Sequence, residues 1–145
     1  MNFVIHKLKT QVYANQLLLC YNLSNMDKKI LIVDDEKPLA KALELKLTHE
    51  GLTAKAVFNG AEAINILKTE EFNLVLLDLV MPIDDGFKVL NDIKSLNLKT
   101  PVIVSSNLSQ NEDIARAKEL GAVDYFIKSD TTLSKIVEMI KVYID

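Results

Sequence analysis

Cysteine occurs once in this chain of 145 residues, at Cys20, and histidine twice, at His6 and His49. A lone thiol cannot close an internal disulfide, and the two imidazoles lie too far apart in sequence to offer a Cys/His spacing for structural zinc. A reducing, cytoplasmic setting is the expectation. Glycine is scarce: Gly51, Gly60, Gly86 and Gly121 form neither GxGxxG nor GxxxxGK[ST], so the phosphate-cradling loop of a nucleotide enzyme is missing. A G-x-S-x-G elbow is missing too, which disfavours a serine hydrolase. Positive charge is in deficit, 17 Lys and Arg against 20 Asp and Glu for a net charge of −3. That is the wrong sign for a protein that draws its affinity from nucleic-acid phosphates.

What is present suits one compact domain: 49% hydrophobic and 26% charged residues, with only 4 Gly and 3 Pro. Residues 1–25 differ from the rest. They hold Lys7 and Lys9 and no acid, which leaves fifteen basic against twenty acidic residues, net −5, for residues 26–145. The longest apolar run in this stretch is Leu17 to Tyr21, too short for a secretory signal or a membrane span. Ile5, Leu8 and Val12 have helical spacing, but the favoured reading is a loose tail or an upstream stretch included by choice of start codon, with the folded domain at 26–145.

Beyond Met26 the pattern becomes regular. Ile30–Val33, Ala54–Val57, Leu74–Leu77, Pro101–Val104 and Tyr125–Ile127 read as five buried strands. Segments of helical period separate and follow them, carried by Leu39, Leu43 and Leu47, by Ala63, Ile64 and Leu67, by Val89, Leu90 and Ile93, by Ile114, Ala117 and Leu120, and by Leu133 through Ile144. Pro38 suits a first helical turn, Asn59 with Glu62 and Ser109 with Glu112 have capping-box spacing, and Gly51 and Gly121 stand where helices end. Strict alternation of strand and helix implies parallel strands joined by right-handed crossovers, hence a three-layer α/β domain. The pattern ends near Ile144, so the expected effector is a separate protein.

In such a sheet, ligands gather outside the carboxyl ends of the strands. Asp34, Asp35 and Glu36 follow the first strand, Asp78 ends the third, Ser105, Ser106 and Asn107 follow the fourth, and Lys128 follows the fifth. Crowded carboxylates repel unless a cation or protons neutralise them, and oxygen donors without thiolate or imidazole favour Mg2+ over zinc. Taken alone, Asp34 and Asp35 read equally well as acids decorating a helix N-terminus. The addition of Asp78 and Lys128 on the same rim favours a carboxylate nucleophile for phosphoryl transfer.

Four segments together resemble the receiver domain of two-component response regulators: Leu31-Ile32-Val33-Asp34-Asp35-Glu36, Leu77 to Pro82 with Asp85-Gly86-Phe87, Pro101 to Ser106, and Gly121 to Lys128. The likeness runs over Lys28–Tyr143, 116 of 145 residues. It implies a (βα)5 flavodoxin-like fold with strand order 2-1-3-4-5. It also implies a stand-alone regulator that takes a phosphoryl group from a histidine kinase or histidine phosphotransfer protein onto Asp78. By the same match Asp34, Asp35, Asp78 and the Val80 carbonyl would hold Mg2+, Lys128 would pair with Asp78 and then with the phosphoryl group, and Ser106 and Tyr125 would be the switch hydroxyl and aromatic. Read without the match, Tyr125 is an ordinary half-buried ring. The resemblance implies no conventional enzyme beyond self-catalysed aspartyl phosphorylation and dephosphorylation, and a monomer or a weak phosphorylation-dependent dimer.

The pattern is broken in places. Ser129 replaces the proline usual after the lysine, which implies a trans bond with a shifted Lys128 or a cis bond held by its surroundings. Val80 and Leu108, both apolar, occupy positions flanking the attacking water, which implies slow self-hydrolysis of the acyl phosphate. The rival to phosphoryl acceptance is a binding module of the same fold that acts by docking alone. The helices after the fourth and fifth strands are the candidate effector surface, including Glu112, Asp113, Arg116, Lys118 and Glu119, and Lys37, Leu39 and Ala40 of the first helix are candidates for kinase docking, the latter by resemblance.

Overall fold

The computed structural model describes residues 1–26 and 28–145, with the side chains of 24–26 left out. The junction expected at Met26 therefore falls at the edge of the described residues. Five strands run β1 (Lys29–Val33), β2 (Thr53–Val57), β3 (Leu74–Leu77), β4 (Val102–Ser106) and β5 (Asp124–Ile127). All neighbouring pairs are parallel, in the order 2-1-3-4-5. The helices are α1 (Asn2–Met26), α2 (Lys37–His49), α3 (Gly60–Thr69), α4 (Gly86–Ser95), α5 (Asn111–Glu119) and α6 (Leu133–Ile144), with a 3-10 turn at Lys128–Asp130.

The side-chain alternation of the strands divides the core in two. Leu31, Val33, Val75, Leu77, Val102 and Val104 face one way, onto Ala63 and Leu67 of α3, Leu90 and Ile93 of α4 and Ala117 of α5. Ile30, Ile32, Leu74, Leu76 and Ile103 face the other way, onto Leu43 and Leu47 of α2 and Ile136 and Ile140 of α6. Helices thus cover both faces of the sheet, as a parallel sheet requires. Strand β2 is less buried than its apolar run suggested, because it lies at the sheet edge: Thr53 and Lys55 are exposed and only Val57 is fully buried.

Local chemistry explains most helix ends. Asn59 Oδ1 accepts from the Glu62 amide at 2.9 Å to cap α3, and Gly51 and Gly121 adopt φ of 83° and 105° after α2 and α5. The cap expected at Ser109 is not used. Helix α5 starts after Gln110, with no side-chain cap, so the Ser109/Glu112 spacing falls one residue out of register.

Residues 1–25 differ from the loose tail expected: the backbone of Asn2–Met26 is one continuous helix. Its large apolar side chains are exposed, Phe3 81% and Leu17 72%. No helix among the described residues is long and apolar enough to cross a membrane.

Candidate functional site

Strand order reverses between β1, which pairs with β2 and β3, and β3, which pairs with β1 and β4. Helices leave the two strands on opposite faces there, and a crevice opens at their carboxyl ends. Asp34 and Asp78 stand at its two lips. The Asp78 amide donates to the Val33 carbonyl at 2.9 Å, and the Asp34 amide to the Val57 carbonyl at 3.1 Å, so both carboxylates are carried on extensions of the sheet ladder.

Asp34, Asp35 and Asp78 each bring one carboxylate oxygen within 4.8 Å of the others. Asp34 and Asp78 are 6% and 4% exposed, and Asp35 is half-buried. Asp34 Oδ1 accepts from the Glu36 amide at 2.9 Å and Asp78 Oδ1 from the Val80 amide at 3.1 Å, which fixes both side chains. Burial pushes the Asp78 carboxyl above its ordinary pKa, and the nearby Asp34 charge adds to that, against the pull of the Val80 amide and Lys128.

Lys128 is the counter-charge. Its ammonium reaches Asp34 at 2.6 Å, Glu36 at 3.0 Å and Asp78 at 3.3 Å, with a side chain only 6% exposed. Burial, the largest single influence, works to discharge it, but the three carboxylates together hold it above the ordinary lysine range. Glu36, named with the two aspartates among the rim acids, is held to this ammonium as well, a pairing that the sequence did not assign. One ammonium faces four acids, so the cluster keeps net negative charge. An all-oxygen donor set, two-thirds buried, with no thiolate or imidazole in the cluster, fits a hard divalent cation that retains water, and so fits Mg2+.

The remaining predicted residues line the same rim. Ser105 and Ser106, expected after β4, are instead its last two residues, because they pair with Phe126 and Ile127 of β5. Ser106 is fully buried, and its Oγ accepts from the Leu108 amide at 3.2 Å. Tyr125 is half-buried and donates its hydroxyl to the Leu108 carbonyl at 2.6 Å. Burial raises its phenol pKa, with a contact to Ser106 working the other way. Val80 is 55% exposed beside Asp78. The Lys128–Ser129 bond is trans, since the described chain has no cis peptide, and Lys128 still reaches the acids. Ala40, a docking candidate by resemblance, is 1% exposed and packs against the sheet, so it cannot meet a partner. Arg116 stacks over the Phe87 ring at 4.1 Å and is not a freely solvated charge.

A family model described as the response regulator receiver domain matches residues 30–141. Among solved structures, the receiver domain of a Francisella response regulator is 26% identical, with a TM-score of 0.76 over 81% of this chain and 97% of that one. A CheY-like response regulator receiver domain protein from Methanospirillum hungatei is also 26% identical, with a TM-score of 0.76 over 81% and 94% of the two chains.

Proposed function

The chain belongs to the response regulator receiver domain family, and on that footing we propose that it accepts a phosphoryl group on Asp78 from a phosphohistidine of a histidine kinase or histidine phosphotransfer protein. The observation that carries this reading is the buried Asp78 carboxylate, set 3.3 Å from the Lys128 ammonium beside two further aspartates. An arrangement of buried like charges is costly to maintain and marks function more often than scaffold.

In the proposed step an Asp78 oxygen bonds to phosphorus as the P–N bond to the donor imidazole breaks, and the imidazole leaves with the electron pair of that bond. Asp34, Asp35, Asp78 and the Val80 carbonyl would hold Mg2+, which when bound supplies neutralisation of charge on the transferring oxygens. Lys128, already charged and desolvated, turns from Glu36 and Asp78 to a phosphoryl oxygen. The Ser106 hydroxyl is drawn to the new acceptor-rich group. Its loop moves with it, the bond from Tyr125 to the Leu108 carbonyl is released, and the ring turns inward to reshape the surface of α5, β5 and α6. That surface addresses a protein effector in the cytoplasm, by a monomer or a weak phosphorylation-dependent dimer. Nucleic acid is not a direct partner.

Incubation with acetyl phosphate and Mg2+ followed by intact-mass measurement tests this. The reading expects the mass of one phosphoryl group, absent in Asp78→Ala. No gain in the wild type, or a gain that survives the substitution, favours docking without phosphorylation.

A further inference from the structure

The residue after Lys128 keeps a backbone N–H because it is Ser129 and not proline, and that N–H is used. It donates to Asn107 Oδ1 at 2.8 Å, across 22 residues of sequence. Asn107 directly follows the buried Ser106, and Ser129 directly follows Lys128, so one hydrogen bond joins the loop of the proposed switch hydroxyl to the turn that carries the ammonium. The donor is a backbone amide, so the atom of Asn107 that faces it must be the carbonyl oxygen.

Besides the ladder pairing of Ser106 with Ile127 and the contact of Ser106 with Tyr125, two hydrogen bonds at Leu108 hold the loop. The Leu108 amide donates to Ser106 Oγ at 3.2 Å, and Tyr125 donates to the Leu108 carbonyl at 2.6 Å. The first is internal to the loop and the second reaches β5. Only the Asn107 bond, of these three, reaches the 3-10 turn Lys128–Asp130. Movement of Ser106 toward Asp78 therefore either stretches the Asn107 bond or drags the turn along.

We infer that Asn107 is a positioning residue: through the Ser129 amide it fastens the Ser106 loop to the Lys128 turn and holds the loop in its resting place. The part of this that concerns switching rests on the phosphoryl-acceptor reading above, whereas the tie itself does not. Phosphoryl transfer gathers the Ser106 hydroxyl and Lys128 around the incoming group, so a bond that favours the resting loop slows the step, and its loss speeds it.

Two measurements on the full chain decide the matter. Without any phosphodonor, amide exchange at Ser129 followed by NMR is expected to become about five- to tenfold faster in Asn107→Ala, the factor that one net hydrogen bond carries. With acetyl phosphate and Mg2+, Asn107→Ala and Ser129→Pro are each expected to speed labelling of Asp78 about two- to tenfold, and the double variant to match a single one, because both remove the same bond. Simple widening of access by the smaller alanine would instead leave Ser129→Pro at the wild-type rate. Unchanged Ser129 exchange in Asn107→Ala, or rates that multiply in the double variant, would overturn the inference. Should the wild type take no label at all, the acceptor reading falls and the exchange result alone judges the tie.

Discussion

Gly86 lies against the backbone of Leu79 so closely that a Cβ on it would stand 2.4 Å from Leu79 Cα and 2.5 Å from the Asp78 carbonyl oxygen. The Gly86 amide also donates to the Leu79 carbonyl at 3.1 Å, and Asp85 caps the first turn of α4 through the Phe87 amide at 2.9 Å. The start of α4 is thus pressed onto the peptide that carries the proposed acceptor. Both obstructing atoms are backbone and cannot swing aside. Gly86→Ala is expected to destabilise the fold by about 2–3 kcal/mol, in the range of overpacked cores, and to slow labelling of Asp78 by displacing it. Urea unfolding with an unchanged midpoint would show that the contact is not tight.

Asp78→Asn is expected to stabilise the metal-free protein at neutral pH by about 1 kcal/mol, as one charge leaves a crowded buried cluster. The sign follows from linkage. A carboxyl whose folded pKa lies above its unfolded value binds its proton more tightly when folded, so stability falls as pH rises from the ordinary aspartate range through the raised folded value. The substitution removes that fall. Melting curves from pH 3.5 upward should therefore converge for the two proteins at the acid end and separate toward pH 7.

Lys128→Met removes the one cation that Asp34, Glu36 and Asp78 share. The expected cost is about 3 kcal/mol, typical of leaving buried charge without its partner. The folded pKa of Lys128 is raised, so its stabilising effect is complete below the ordinary lysine pKa and fades only as pH climbs through the higher folded value. Wild type and variant should accordingly differ by a constant amount between pH 6 and 9 in thermal melts.

Addition of Mg2+ should raise the melting temperature of the wild type, since an ion bound only by the folded state stabilises it by about 2.7 kcal/mol at a hundredfold excess over its Kd. Asp35→Asn should lose most of that gain while leaving the Lys128 contacts intact. An equal Mg2+ response in both proteins would remove Asp35 from the ligand set.

The acyl phosphate on Asp78 is expected to be long-lived, because the exposed Val80 offers an attacking water no polar anchor. Val80→Asn should shorten its lifetime about tenfold, toward the low end of what positioned polar groups contribute. Loss of label at one rate from both proteins would refute this.

Much of the fold was legible because burial on two sheet faces writes itself into sequence as short apolar runs. Leu74–Leu77 coincides with β3 to the residue, since a central strand is covered on both sides. Where the signal weakened, the reading slipped. Ser105 and Ser106 are polar and so looked like loop, yet pairing with β5 carries the ladder through them and buries both. The Ser109 cap failed because spacing alone cannot say at which residue a helix begins. The α1 helix was missed as a long element because its apolar residues follow no single packed face.

Asp34, Asp35, Asp78 and Lys128 could be named from their places after strands, because a parallel α/β sheet sends every strand end to one rim. Chemical type and order along the chain were enough for that. Distance was not: the sharing of one ammonium among Asp34, Glu36 and Asp78, and the joining of Asn107 to Ser129, depend on how loops from different strands lean over the crevice. Those contacts arise only when residues far apart in the polymer are packed to ångström tolerance, and no one-dimensional pattern encodes that.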